Sequence, residues 1–170
     1  MNLLIGAPLW LVWILVLALL AGAIEDALRL RISNITALVV LCSAIGAAAL
    51  QGFPLSLWQN VVVFCIILAL GTGAFAAGLL GGGDVKLLAA SAIWLDGRSA
   101  VWLIALVFLS GGLLAIFYLV SRLWRSRRDS RIPYGIAIAI GTVAVIAMSR
   151  GFLEHHDRPL PQLKIARPSA

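Results

Sequence analysis

Five stretches of this chain, Leu3–Ile24, Ile35–Leu50, Leu57–Leu80, Val101–Val120 and Tyr134–Met148, carry no charged side chain. A helix needs about 20 mostly apolar residues to cross a hydrocarbon core of ~30 Å, and most of these runs approach or reach that length. Composition agrees with a membrane solvent. Apolar residues make up 62% of the 170 and charged residues 12%, against roughly 45–50% and 25% in average soluble domains. So few charges cannot cover a water-soluble body. Disorder needs the opposite balance, and two cysteines cannot staple a chain of this length. The fold class expected is all-α, a polytopic membrane helical bundle of about six transmembrane segments.

The first run has no basic start and is too long for a cleaved signal peptide, so it reads as a span. Ser33-Asn34 are cap candidates for the second, which closes at the turn-like Gln51-Gly52-Phe53-Pro54. Gly81-Gly82-Gly83-Asp84 interrupts the chain after Leu80, and a short apolar helix, Val85–Leu95, follows. That helix is the short member of the six, either re-entrant or dependent on its neighbours. Pro133 breaks the chain before the last run. Residues 1–150 form a single transmembrane domain, and 151–170 a polar C-terminal tail. No internal repeat stands out.

Lys and Arg in short loops set orientation. Loops after the first, third and fifth runs hold Arg29, Arg31, Lys86, Arg122, Arg125, Arg127, Arg128 and Arg131; the opposite set holds Arg98, Arg150 and the tail's Arg158, Lys164 and Arg167. The first set is expected to be cytoplasmic, with both termini outside. The positive-inside rule and anionic lipid contact account for the net charge of +6 without nucleic acid.

Only seven carboxylates are present. Asp129 lies in the basic loop, Asp96 in a turn, and Glu154 and Asp157 in the tail, where water solvates them. Glu25, Asp26 and Asp84 abut the apolar body, where acids are costly and become functional candidates. Glu25 reads as an interfacial partner of Arg29 at i,i+4, and Asp84 as an N-cap of the following helix, which leaves room for catalysis. Two crossings separate Asp26 from Asp84, so both lie on the cytoplasmic side. Small residues lead to each at helical spacing: Ala18, Gly22, Asp26 and Ala74, Gly78, Gly82. If these stripes face each other, they bring the carboxylates together. Two carboxylates in contact share one proton. The ionised member then takes a proton from water while the protonated one donates to a peptide carbonyl, as in aspartic proteases. The glycine run lets the chain leave helical geometry and lets a substrate backbone approach Asp84.

These residues resemble a known family. Gly81-Gly82-Gly83-Asp84-Val85-Lys86-Leu87-Leu88 is similar to the GxGD-V-K-L-L signature of type IV prepilin peptidases, which are membrane aspartic proteases. Asp26, followed by Ile32-Ser33-Asn34, occupies the place of the family's first aspartate and its I-P-N-like motif; Ser33 departs from the usual proline. Arg131-Ile132-Pro133-Tyr134-Gly135 resembles the late I-P-Y/F-G segment. The likeness runs from Leu3 to about Met148. It implies catalytic roles for Asp26 and Asp84, with Gly81, Gly83, Lys86 and Asn34 shaping the site. It also implies no cofactor, a prepilin or pseudopilin substrate cut at the cytoplasmic face, pilus assembly machinery as partner, and the bacterial inner membrane. The compact form, without a cysteine-rich insert, resembles Tad/Flp-type peptidases and gives no support to methylation.

Other readings are weaker. Gly71-Thr72-Gly73-Ala74-Phe75-Ala76 imitates a dinucleotide turn without a preceding strand, and Lys86 lacks the Ser or Thr of a P-loop. His155-His156 read as solvated tail and not as a metal site, and Cys42 and Cys65 as small buried residues. Trp10, Trp58 and Trp124 read as interfacial. Lys86 orients Asp84 or snorkels to the cytoplasm. Rival functions are a presenilin- or signal-peptide-peptidase-like protease, whose Tyr-Asp and Pro-Ala-Leu motifs are missing here, and a non-enzymatic assembly or transport subunit.

Overall fold

The computed structural model describes the backbone of residues 1–124 and 133–156, with side chains for 1–120 and 133–151. The basic loop from Arg125 to Arg131, the side chains of Arg122, Trp124, Glu154, His155 and His156, and the tail beyond lie outside the described residues. Among the described residues seven helices follow in order: α1 Leu3–Gly6, α2 Leu9–Arg29, α3 Asn34–Leu50, α4 Leu57–Ala76, α5 Gly82–Ala92, α6 Gly97–Trp124 and α7 Tyr134–His156. The described residues form an all-helical membrane bundle. Helices α2, α4, α6 and α7 are long and apolar enough to cross a membrane; α3 is a shorter apolar helix.

Local chemistry sets the boundaries. Asn2 caps α1, accepting from the Leu4 N–H at 3.1 Å, and the first run breaks before Pro8, which disfavours helix in its predecessor. Helix α2 stops at Leu30, which is left-handed at φ 53°; its N–H donates to the Asp26 carbonyl at 2.8 Å. Ser33 caps α3 through the Ile35 N–H at 3.1 Å, as its sequence position suggested. Helix α4 ends four residues earlier than the apolar run, because Gly78 adopts φ +73° and turns the chain. Asp96 accepts from the Ser99 N–H at 3.2 Å at the start of α6. Helix α7 continues past Met148 to His156.

The short helix α5 is the centre of the packing. Its 11 residues rise about 16 Å, half a hydrocarbon core, yet it is enclosed by α3, α4 and α7 and buries Val85, Leu87, Ala89, Ala90, Ser91 and Ala92. Gly71 of α4 lets Val85 approach; a Cβ there would lie 2.6 Å from Val85 Cγ1. The segment imitating a dinucleotide turn is therefore helix packed on helix. After α5, Trp94 is fully buried and its Nε1–H donates to the Val40 carbonyl at 3.2 Å. Asn60, also fully buried, donates to the Met1 and Ile93 carbonyls at 2.8 and 2.9 Å. Arg150 of α7 donates to the Leu4 and Ala7 carbonyls at 3.0 and 3.1 Å. One pole of the bundle is thus pinned by polar contacts, and α5 runs from it to the other pole, where Asp84 lies.

The outer faces are apolar. Phe108, Leu109 and Leu113 of α6, and Leu70 and Ile66 of α4, are exposed, as lipid contact requires. Trp10 and Trp58 are exposed too. Cys42 and Cys65 were expected inside; both are free thiols on exposed helix faces, since apolar side chains need no protein neighbours where the solvent is hydrocarbon.

Candidate active site

Asp26 sits three residues before the end of α2, on the face that also buries Leu15, Ala18, Leu19 and Gly22. It is 4% exposed. Its Oδ2 accepts from the Gly135 N–H at 2.6 Å. Gly135 is the second residue of α7, so this N–H is one of the donors a helix start leaves without an intrahelical partner, at the positive end of the helix dipole. Pro133, just ahead, fixes where α7 begins.

Asp84 is the third residue of α5 and 8% exposed. Gly81, and not Asp84, is the N-cap. Asp84 reaches back from the first turn, and its Oδ2 accepts from the Gly81 N–H at 3.1 Å, which is half of a capping box. Its Oδ1 is buried and has no hydrogen-bond partner among the described residues. The backbone is non-helical at Ala77–Gly81, ahead of the position expected; Gly82 and Gly83 already belong to α5.

Asp26 and Asp84 line one cavity of about 330 Å³, together with Leu30, Arg31, Ile32, Phe75 and Gly81–Gly83. Asp84 lies outside the four helices long and apolar enough to cross a membrane. Burial, and after it the facing Asp26 charge, push its carboxyl up to about 6, against the pull of the Gly81 N–H.

Glycines permit this closeness. A Cβ on Gly83 would lie 2.8 Å from the Ile32 carbonyl oxygen and 2.9 Å from Ile32 Cβ. A Cβ on Gly135 would lie 2.9 Å from Asp26 Cβ and 3.0 Å from its Oδ2. On Gly81 it would meet Asp84 Oδ2 at 2.6 Å. Ile32 is wedged between Gly83 of α5, the helix that carries Asp84, and Gly135 of α7, whose N–H holds Asp26.

The route by which the acids meet differs from the expected one. Gly22 faces Thr36 of α3 and Leu87 of α5, at 3.1 and 3.3 Å from its would-be Cβ, while Gly78 has nothing within 4 Å among the described residues. The two small-residue stripes do not pack on each other; α5 lies against α4, and α2 packs on α3 and α7. Small residues mark close packing but do not name the neighbour. Glu25 also differs: instead of pairing with Arg29, its Oε2 accepts from the Ser33 N–H at 2.9 Å and from the Thr36 hydroxyl at 3.1 Å. Free donors at the start of α3 outcompete an exposed arginine. Lys86 does not touch Asp84; its Nζ donates to Asn34 Oδ1 at 2.8 Å, joining α5 to α3 on an exposed face beside the site. Gly135 is the site residue that residue-by-residue reading passed over. The Pro-Tyr-Gly helix start was its signal. Among the described residues no three His, Cys, Asp or Glu side chains cluster as metal ligands.

A family model described as the type IV leader peptidase family matches residues 13–120, more than half of the chain. The chain belongs to the type IV leader peptidase family. Comparison with curated proteins and with solved structures returned no match. Membership makes the chain a protease of the leader peptidase kind, a membrane protein whose family implies prepilin-type substrates. The match includes Asp26, Asp84 and the glycine run. It ends before Gly135, so the tie from α7 to Asp26 is a feature of the three-dimensional arrangement.

Proposed function

We propose that this leader peptidase is an aspartic endopeptidase of the GxGD type, which removes the leader of Flp-like type IV prepilins through an Asp26/Asp84 pair. The supporting observation is that two buried carboxylates share one small cavity, each accepting from a backbone N–H. In this scheme Asp84 carries the shared proton, and its Oδ1, which has no hydrogen-bond partner among the described residues, is the oxygen that presents it. Asp26 is the ionised partner. Water attacks the peptide carbonyl carbon as Asp26 takes one of its protons, and Asp84 gives its proton to the carbonyl oxygen. The tetrahedral diol collapses as Asp26 hands its proton to the leaving nitrogen and the C–N bond breaks. The remaining hydroxyl proton returns to Asp84. Atoms and charges balance without a covalent intermediate.

The cavity's glycine floor suits an extended peptide backbone, because Gly81–Gly83 put no side chain between substrate and Asp84. Arg29, Arg31 and Lys86 flank the same pole. By the positive-inside rule that pole is cytoplasmic, in a bacterial inner membrane, with residues 1–150 as the peptidase domain and pilus assembly machinery nearby. The test is co-expression with an Flp-like prepilin, scored by leader removal. Asp26→Asn and Asp84→Asn are each expected to lower cleavage by about a thousandfold or more while still inserting. Full processing by either variant refutes the pair.

A further inference from the structure

We propose that Glu25 is a positioning residue, whose carboxylate latches the Leu30–Ser33 loop that forms one wall of the cavity between Asp26 and Asp84. The inference rests on the paired-aspartate reading above and adds a part to it. Three observations carry it. Glu25 holds both the backbone N–H of Ser33 and the hydroxyl of Thr36, at 2.9 and 3.1 Å, so it bonds the loop's last residue and the first turn of α3 at once. The loop's other end is set by Leu30, whose left-handed conformation is tied to the Asp26 carbonyl at 2.8 Å. Between these two ties sits Ile32, 9% exposed. It abuts Gly83 with its carbonyl and Gly135 with its Cδ1.

Ile32 is therefore the spacer between the element carrying Asp84 and the donor that holds Asp26. A loop free at the Ser33 end moves the spacer, and the carboxylates move with it. Glu25 and Asp26 are sequence neighbours on one helix, so the latch and the acid share a rigid base. One turns toward α3 and the other into the cavity. The Glu25 charge is well placed for this, lying at the start of α3 where the helix dipole favours an anion. Two charge-assisted bonds from one carboxylate restrain a loop more tightly than neutral ones.

Ser33 has φ −66°, the value a proline ring imposes. A proline there gives up the N–H that Glu25 holds and the hydroxyl that caps α3, and in exchange restrains the loop covalently, with no need of Glu25. The experiment compares wild type, Glu25→Ala, Glu25→Gln, Thr36→Val, Ser33→Pro and Glu25→Ala/Ser33→Pro in detergent, measuring kcat and KM on a prepilin and hydrogen exchange of Leu30–Ser33. Glu25→Ala is expected to lower kcat about tenfold with KM nearly unchanged, because misplaced reacting groups cost rate more than binding. Its loop amides should exchange about tenfold faster. Glu25→Gln, which keeps the acceptor oxygen, should stay within about threefold of wild type, and Thr36→Val should lose about twofold to threefold. Adding Ser33→Pro to Glu25→Ala should recover most of the lost rate.

Unchanged exchange in Glu25→Ala overturns the latch, as does faster exchange with an unaltered kcat. Failure of Ser33→Pro to rescue Glu25→Ala, where Ser33→Pro alone keeps the wild-type rate, shows that Glu25 acts other than through the loop, and also overturns it. If Glu25→Ala does not fold, the Thr36→Val and Ser33→Pro pair decides: no change in exchange for the first overturns the proposal. Asp26→Asn run alongside separates the two ideas. Cleavage by Asp26→Asn refutes the paired-aspartate reading, while loop exchange still judges the latch.

Discussion

Replacing Asp84 by Asn should stabilise the folded protein at neutral pH while abolishing its activity. The carboxyl is 8% exposed and pushed from 3.8 up to about 6 by burial and by Asp26. At ~1.36 kcal/mol per pKa unit, that rise makes the ionised form costlier in the folded protein than in the unfolded chain by about 3 kcal/mol. Below pH 3.8 the group is neutral in both states and there is no cost. As pH rises through the window from 3.8 to about 6, the unfolded chain sheds the proton that the folded protein keeps, and stability falls. Above about 6 both states are ionised and the loss is complete.

Asn is neutral throughout, keeps an oxygen for the Gly81 N–H, and puts an amide where Oδ1 has no partner among the described residues. The advantage of Asp84→Asn should be near zero at about pH 4 and reach about 3 kcal/mol at about pH 8, which is roughly 6–12 °C in Tm for a chain of this size. Thermal unfolding in detergent, followed by tryptophan fluorescence, to which fully buried Trp94 contributes, measures it. A variant no more stable than wild type at about pH 8, or equally stabilised at about pH 4, refutes the claim that Asp84 is strained in its ionised form. A site residue whose removal raises stability and destroys turnover is one kept for chemistry.

The shared-proton scheme predicts that kcat/KM falls about tenfold per unit on an alkaline limb with an apparent pKa of about 6; a profile flat to about pH 8 refutes it. Gly83→Ala puts a Cβ 2.8 Å from the Ile32 carbonyl oxygen, and Gly135→Ala puts one 2.9 Å from Asp26 Cβ. Each should lower kcat at least about tenfold and stability by about 1–3 kcal/mol, whereas Gly73→Ala, with nothing within 4 Å among the described residues, should leave kcat unchanged.

The membrane bundle and the acid pair were legible for one reason, which is that charge is scarce. Long uncharged runs located the helices, and caps such as Ser33 gave their starts. Few carboxylates abut the apolar body, so Asp26 and Asp84 stood out before any contact was known. Partners were not legible. Ala18, Gly22 and Asp26 announced a closely packed face of α2, but a glycine records only that something comes near. For Gly22 it was Thr36 and Leu87, and not Gly78. Glu25 had a partner in Arg29 at ideal helical spacing, yet the N–H of Ser33 and hydroxyl of Thr36 hold it. An exposed ion pair contributes a few tenths of a kcal/mol, too little to compete with unpaired donors at a helix start.

Helix α5 shows why span counting alone misreads such a chain. The rule of about 20 residues applies to a helix whose sides meet lipid. A helix enclosed by α3, α4 and α7 is sized by its neighbours, and it tolerates Ser91, fully buried and bonded to the Leu87 carbonyl at 2.9 Å. Its far end is pinned through Ile93 to Asn60 and through Trp94 to Val40 and Leu3. Asp84 therefore projects from the first turn of the most enclosed element in the bundle, while Asp26 ends a longer helix whose outer face meets lipid. Of the two acids, Asp84 has the stiffer base. Adjustment of the pair must then fall to the Asp26 side, through the start of α7 and the Leu30–Ser33 loop, which is where Gly135 and Glu25 make their contacts.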